Sequence, residues 1–108
     1  MRIDIAQLEY IHPTLRRILT WIETKTGLEF TITSLYRMEG SGVHTTLPLR
    51  GTDLRMRNQC VGEEVADLIN GYWMYDFDRP ELKCCVLHGE GSNLHLHVQV
   101  HPNTKSIL

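Results

Sequence analysis

The sequence predicts a small α+β domain in which two helices pack on an antiparallel sheet. Three observations lead to this prediction. Two segments carry apolar residues at helical spacing, several short segments are rich in strand-forming residues, and glycine-rich turns separate them. Strands joined by short turns, with two helices on one face, make an α+β domain. A chain of 108 residues is long enough for one such domain, residues 1–108, with a single core.

Two apolar stripes predict the helices. The first helix is expected to start at Pro13 and to stop at Gly27, because proline suits the first turn of a helix and glycine its end. Its core-facing residues are Leu15, Ile18, Leu19 and Ile22. The second helix is expected to fray at Asn70-Gly71, and one side of it is lined by Val61, Val65, Leu68, Ile69 and Tyr72.

β-Branched and aromatic residues predict the strands. The first strand is expected from about Leu28 to Leu35, and a short one in TDLRM, residues 52–56. Two more are expected in LKCCVLHGE, residues 82–90, and in LHLHVQV, residues 94–100, with GEGSN as the hairpin turn between them. The glycine-containing segment MEGSGVHTTLPLRG, residues 38–51, is predicted to be a loop, and YDFDRPE, residues 75–81, a turn-rich connection.

Composition and charge exclude several classes of function. A formal net charge of -2 argues against a nucleic-acid binder that works by neutralising phosphates. No apolar run is long enough for a membrane span, and the N-terminus lacks the features of a signal peptide, so we expect a chain that is cytoplasmic as synthesised. The odd number of cysteines, 3, fits a reducing compartment, and the adjacent pair Cys84 and Cys85 is expected to be buried as small hydrophobes.

The last predicted strand places histidines on alternate positions. His95, His97 and His101 share one face with Gln99, while the opposite face is apolar. Neutral imidazole is the commonest side-chain metal ligand and a frequent general acid or base near neutral pH. If the glycine-rich loop folds back as a hairpin, His44 and Asp53 can face each other at its base, beside this strand. Two imidazoles and one carboxylate leave a fourth tetrahedral position for water, as in a catalytic zinc site.

Four motifs in order, TSLYR, SGVH, RGTD and HLH, resemble those of the D-alanyl-D-alanine carboxypeptidase-like zinc peptidases. These are the VanY-type members of the fold group shared with lysostaphin and the hedgehog signalling domain, and the resemblance spans residues 33–98. It implies a hedgehog/DD-peptidase-like zinc-binding fold in which His44, Asp53 and His97 hold Zn²⁺. It also implies that Arg37 holds the substrate and the developing oxyanion, tasks that suit a guanidinium group because it stays charged.

Two departures from the family pattern affect these assignments. The segment between His44 and Asp53 is longer than in the family, and a longer hairpin tip would absorb the difference. Leu94 stands where carboxypeptidase members have their general-base glutamate. His95 becomes the candidate base, because murein endopeptidases and lysostaphin relatives use the first histidine of His-x-His near the zinc water. Glu90, at the mouth of the hairpin, is the reserve candidate.

The function expected from this resemblance is zinc-dependent hydrolysis of an amide bond in bacterial peptidoglycan, in a stem or cross-link peptide that contains a D-amino acid. The protein is expected to be a monomer and an endolysin-like enzyme of a phage or prophage, released at lysis or carried in the virion. The alternative is a non-catalytic, degenerate member of the fold that serves as a zinc-binding or phage structural domain. A third possible function is hydrolysis of some other amide bond.

The candidate residues also have purely structural interpretations. Arg37 could pair with a carboxylate at the end of its strand, and Asp53 could brace the loop. A rival structural zinc site would combine Cys84 or Cys85 with His88 and His95, although it lacks the paired Cys-x-x-Cys motif of such sites. The remaining histidines are expected to have no role in chemistry: His88 and His101 at the surface, and His12 before the proline that starts a helix.

Overall fold

The computed structural model describes residues 11–36, with the backbone alone at 34–36, and residues 49–107. The helices are α1 (Pro13–Thr26) and α2 (Gln59–Tyr72). The strands are β1 (Ile32–Tyr36), β2 (Gly51–Arg55), β3 (Trp73–Met74), β4 (Cys85–His88), β5 (His95–Gln99) and β6 (Lys105–Ser106). The predicted α+β class, with two helices and an antiparallel sheet, is confirmed.

The main sheet has four strands in the order β1, β2, β5, β4, and every neighbouring pair is antiparallel. Strands β2 and β5 therefore lie at its centre. Side chains on alternate positions point to opposite faces, and the inner face of this sheet carries Thr52, Leu54, Leu96 and Val98, all fully buried. We call the opposite face, which carries Asp53, His95 and His97, the outer face.

Helix α1 begins and ends where the sequence predicts. The side chain of His12 caps its start, because His12 Nδ1 accepts a hydrogen bond of 3.1 Å from the backbone N–H of Thr14. Gly27, in the left-handed conformation with φ 70°, ends it. All the apolar residues predicted to face the core are buried: Leu15, Ile18, Leu19 and Ile22.

Helix α2 presents most of its predicted apolar stripe to the core, with Val65 and Ile69 buried and Val61 and Tyr72 partly buried, but Leu68 departs from the prediction. Gly62 and Ala66 are buried beside Val65 and Ile69, whereas the predicted core residue Leu68 is 39% exposed. The reason is close packing, since a Cβ atom placed on Gly62 would lie 2.8 Å from Leu87 Cδ1 of β4. Small residues thus let the helix approach the sheet, and Leu68 lies on the side of the helix that is turned away from it.

Asn70 anchors the edge strand and does not mark a fraying helix end. Its side-chain amide donates to Cys85 O at 2.8 Å and accepts from Cys85 N at 3.0 Å. The side chain therefore replaces the missing neighbour of β4 at the sheet edge and satisfies backbone groups that would otherwise lack a partner. Helix α2 continues past it to Tyr72.

Three further predictions need correction. Strand β1 begins at Ile32 and not at Leu28, and its pairing with β2 is irregular between Ile32 and Ser34. Strands β3 and β6 form a separate two-stranded sheet that the sequence does not predict, because strands of two residues depend on pairing between distant segments. The hairpin turn before β5 contains a short 3₁₀ helix, Gly91–Asn93.

One apolar cluster holds the described part of the chain together. It contains side chains from both helices and from the inner face of the sheet, among them Ile22, Phe30, Leu54, Ile69 and Val98. Within residues 11–36 and 49–107, neither helix is long and apolar enough to cross a membrane.

Candidate metal centre on the outer sheet face

Strand register brings Asp53 and His97 together. The two residues are direct partners across β2 and β5. Three residues along the ladder, the backbone hydrogen bond of 2.9 Å from Val100 N to Arg50 O makes Arg50 and Val100 a hydrogen-bonded pair. Because hydrogen-bonded and non-hydrogen-bonded pairs alternate in an antiparallel ladder, Asp53 and His97 form a non-hydrogen-bonded pair, in which side chains come closest. Their Oδ1 and Nδ1 atoms lie 3.3 Å apart.

Gln99 determines which nitrogen of the His97 ring carries a lone pair. The amide nitrogen of Gln99 donates to Lys83 O at 2.8 Å, so the amide oxygen must point the other way. That oxygen lies 3.1 Å from His97 Nε2, which therefore donates its hydrogen. In the neutral ring, Nδ1 is then the nitrogen with the lone pair, and it faces the carboxylate of Asp53.

His95 is held in the complementary orientation. Its Nδ1 lies 2.8 Å from the backbone oxygen of Asn93, which can only accept, so Nδ1 donates. The lone pair of the neutral ring is then on Nε2, which lies 4.0 Å from Asp53 Oδ1. The carboxylate of Asp53 is thus flanked by two ring nitrogens that both act as acceptors in their neutral tautomers.

Such an arrangement suits a metal cation. Two lone pairs that point toward the same space, one on oxygen and one on nitrogen, can both bind a single metal ion. Two ligands of a tetrahedral zinc ion, each about 2.0–2.1 Å from the metal, lie about 3.3 Å apart, which is the separation of Asp53 Oδ1 and His97 Nδ1. The contact of His97 with Gln99 also matches the hydrogen bond that the second ring nitrogen of a metal-binding histidine usually makes.

The site is open to small molecules. The side chains of Asp53, His95 and His97 are 24%, 26% and 18% exposed. A cavity of about 220 Å³ lies directly beside them and is lined by Asp53, His95, Arg55, Thr33, Ser92, Asn93 and Leu94. A ligand in this cavity would contact both the carboxylate and the imidazole.

His88 belongs to the same face, which the sequence analysis missed. It pairs directly with His95 across β4 and β5, and its ring centroid lies 5.9 Å from that of His95 and 6.5 Å from that of His97. The expected exposure of His88 is confirmed. His88 lies beside the other histidines because the hairpin of β4 and β5 pairs His88 with His95 and Val86 with His97.

The remaining candidates are His44, Arg37 and Glu90. His44 and Arg37 lie outside the described residues. Glu90 is exposed at the start of the 3₁₀ turn, where its backbone oxygen accepts from Asn93 N at 2.9 Å. Within residues 11–36 and 49–107, no three histidine, cysteine, aspartate or glutamate side chains form a complete metal-binding group. The described part of the proposed ligand set is therefore the pair Asp53 and His97.

The rival cysteine site is not assembled. Cys84 and Cys85 are buried, as predicted, and burial raises the pKa of each thiol to about 12. Thiolates are the form that binds zinc, so this environment disfavours a metal. Cys85 also pairs with the buried Val98 on the inner face of the sheet, whereas His88 and His95 point to the outer face.

The histidines at the two ends of the described chain have structural roles. His12 caps α1, and partial burial, with the nearby charge of Arg50, lowers its pKa below 6.5. His101 is half-buried and not simply at the surface, because it packs at 5.7 Å from the ring of Tyr75. Its Nδ1 accepts from Asn103 N at 3.1 Å.

These features define a class: a small α+β domain with a carboxylate and histidines grouped on the outer face of an antiparallel sheet. Comparisons of the chain with models of protein families, with curated proteins and with solved structures find no match. The function is therefore argued from the site itself.

Proposed function

We propose that the protein is a zinc-dependent hydrolase that cleaves an amide bond in peptidoglycan peptides, with a hedgehog/DD-peptidase-like fold. The observation that carries this proposal is the pair Asp53 and His97, whose Oδ1 and Nδ1 atoms lie at the separation of two zinc ligands. The order of the sequence motifs, which resembles that of the zinc peptidases, supplies the substrate class.

His44, Asp53 and His97 would hold the metal, with His44 contributed by the segment before β2. When bound at such a site, zinc lowers the pKa of a water molecule to about 7 and polarises a carbonyl group. Gln99 keeps the ring of His97 in the tautomer that offers Nδ1 to the metal. Arg37 would anchor the substrate or the developing oxyanion, as the resemblance implies.

His95 is the residue that we expect to move the proton. Its hydrogen bond to Asn93 O leaves Nε2 as the basic nitrogen, on the side of Asp53. There it can accept a proton from the attacking water and return it to the departing amine. Leu94, at the position of the family glutamate, is buried and cannot take this role. Glu90, which is exposed nearby, remains the reserve candidate.

The first test of the proposal is the metal content of protein purified without a metal-affinity tag, measured by inductively coupled plasma mass spectrometry. We expect about one zinc per chain in the wild type, and loss of zinc in Asp53→Ala and His97→Ala. His101→Asn is the matched control, because it changes a histidine on the same segment but retains an acceptor for Asn103 N. A wild type without zinc, even after reconstitution, would contradict the proposal.

The second test is the turbidity of a peptidoglycan suspension. Clearing that EDTA removes and zinc restores would support hydrolysis, and His95→Gln is expected to bind zinc while losing most of this activity. A protein that binds zinc but leaves peptidoglycan intact would favour the second candidate, a non-catalytic binding domain. The buried Leu94 in place of the family glutamate is the observation that favours that candidate.

A further inference from the structure

A second cavity, of about 480 Å³, shares no lining residue with the cavity beside Asp53 and His95. It is formed by α1, the end of α2 and the small sheet of β3 and β6. The walls include Arg17, Trp21, Tyr72 and Trp73, with the hydroxyl-bearing residues Thr20 and Ser106. Its volume lies within the range of small-molecule sites, about 300–1,000 Å³.

Three aromatic rings form a rigid wall of this cavity. The rings of Trp21 and Tyr72 stack with centroids 4.7 Å apart and an angle of 28° between their planes. Trp73 meets Trp21 edge-on at 6.2 Å and 83°. Rings packed against each other in this way keep their orientation, so they offer a preformed apolar surface to the flat face of a ligand ring.

Positive charge lies next to the aromatic wall. The guanidinium carbon of Arg17 is 5.4 Å from the ring centre of Trp73, within the range of a cation–π contact. Arg16 also lines the cavity. Guanidinium groups bind carboxylates through two parallel hydrogen bonds, so the ligand that complements this site carries an anionic group beside its ring.

The wall also contains an unsatisfied donor. Trp73 is 4% exposed, and its Nε1 is buried with no hydrogen-bond partner among the described residues. Buried polar groups of this kind are rare and call for an explanation. Because this atom is closed off from the cavity surface, a ligand could reach it only after movement of neighbouring side chains, and the ligand contacts proposed below do not include it.

We propose that this cavity binds a sugar ring that carries a carboxylate. The apolar face of the ring would pack on Trp21 and Tyr72, its hydroxyl groups would bond to the threonine and serine side chains, and its carboxylate would pair with Arg17. This binding site does not depend on the proposed hydrolysis.

Tryptophan fluorescence tests the proposal directly. Both tryptophans of the chain, Trp21 and Trp73, line this cavity, so a change in emission on binding reports on this site. The probes are N-acetylmuramic acid and N-acetylglucosamine, which differ in the lactyl carboxylate. We expect saturable binding of the acid and about tenfold or more weaker binding of the neutral sugar, as is typical of hydrogen bonds to charged groups.

Single-residue variants test whether N-acetylmuramic acid binds in this cavity. Arg17→Gln is expected to weaken binding of the acid by about tenfold or more, to the level of the neutral sugar. Arg57→Gln changes an exposed arginine that lies just before α2 and does not line this cavity, and it is expected to have no effect. His97→Ala is expected to bind the acid as the wild type does. A protein that binds no zinc would therefore still bind N-acetylmuramic acid, so the zinc-site proposal and the sugar-site proposal can be contradicted independently.

Three results would overturn the proposal. The first is no saturable change of emission with N-acetylmuramic acid. The second is equal binding of the acid and the neutral sugar in both the wild type and Arg17→Gln. The third is binding of phenylacetate as tight as that of N-acetylmuramic acid, because the hydroxyl groups of the sugar would then contribute nothing to recognition.

Discussion

Gln99 orients the ring of His97 on the outer face of the sheet. Its amide oxygen lies 3.1 Å from His97 Nε2, and its amide nitrogen is fixed by a hydrogen bond of 2.8 Å to Lys83 O. The backbone carbonyl of Lys83, just before β4, thus determines through Gln99 which nitrogen of His97 on β5 carries the lone pair. This chain of contacts makes Gln99 part of the candidate site, although the sequence analysis treated it as a polar residue.

Replacement of Gln99 by leucine is therefore expected to weaken zinc binding without removing a ligand. Loss of the residue that hydrogen-bonds to a metal-binding histidine commonly costs about 10–100-fold in metal affinity. The measurement is competition for zinc with a chelating dye. Gln59→Leu, an exposed glutamine on α2, is the matched control and is expected to bind zinc as the wild type does. Equal affinities for Gln99→Leu and the wild type would show that the ring of His97 needs no such partner.

Gly89→Ala is expected to destabilise the hairpin that leads into the histidine strand. Gly89 has φ 86°, where side chains are strained, and a Cβ atom there would collide with the backbone oxygen of Asn93. We expect the free energy of unfolding, measured by urea denaturation, to fall by about 2 kcal/mol or more. Gly91→Ala, also at positive φ but with open space around the new Cβ, is the control and should cost about 1 kcal/mol. Similar losses in the two variants would argue against the collision.

The three cysteines are expected to differ in reactivity. Cys60 is exposed, whereas Cys84 and Cys85 are buried and have pKa values raised to about 12. Because thiolates are the reactive form, a disulfide reagent such as Ellman's reagent at pH 8 should label Cys60 in the native protein and all three thiols after unfolding. Native Cys60→Ser should not react. Rapid labelling of that variant would mean that the core around β4 opens easily.

The cap of α1 should contribute to the pH dependence of stability. Burial, and to a lesser extent the charge of Arg50, lowers the pKa of His12 below its usual 6.5. The unfolded chain then binds more protons, so the stability linked to His12 is fully present above about pH 6.5 and is lost as the pH falls through the lower, folded-state value. The accompanying loss of the cap follows from protonation of Nδ1, which could no longer accept from Thr14 N.

His12→Asn tests this linkage, because asparagine caps helices well and does not titrate. The free energy of unfolding should fall less in this variant than in the wild type between pH 7.5 and pH 5.5, as measured by urea denaturation at each pH. Histidines elsewhere contribute equally to both proteins, so the difference belongs to position 12. Parallel pH profiles would show that His12 is not coupled to folding.

Local patterns in the sequence determined much of this fold. The bounds of α1 follow from Pro13, Gly27 and the apolar stripe between them, since capping and burial act within a few turns of one helix. The alternation on β5 is equally local: His95 and His97 share a face because the side-chain period of a strand is two residues. The α+β class and the burial of Cys84 and Cys85 follow from patterns of the same short range.

Tertiary structure decided the features that depend on how distant segments meet. The contact of Asp53 with His97 joins residues far apart in sequence, and a shift of one residue between β2 and β5 would have placed the carboxylate beside an inner-face partner. Register likewise brought His88 beside His95, and the close approach of Gly62 to Leu87 turned Leu68 away from the core. Most of the residues on the outer face could be predicted from the sequence. The distances between them could not, because these distances depend on strand pairing and core packing between segments that are far apart along the chain.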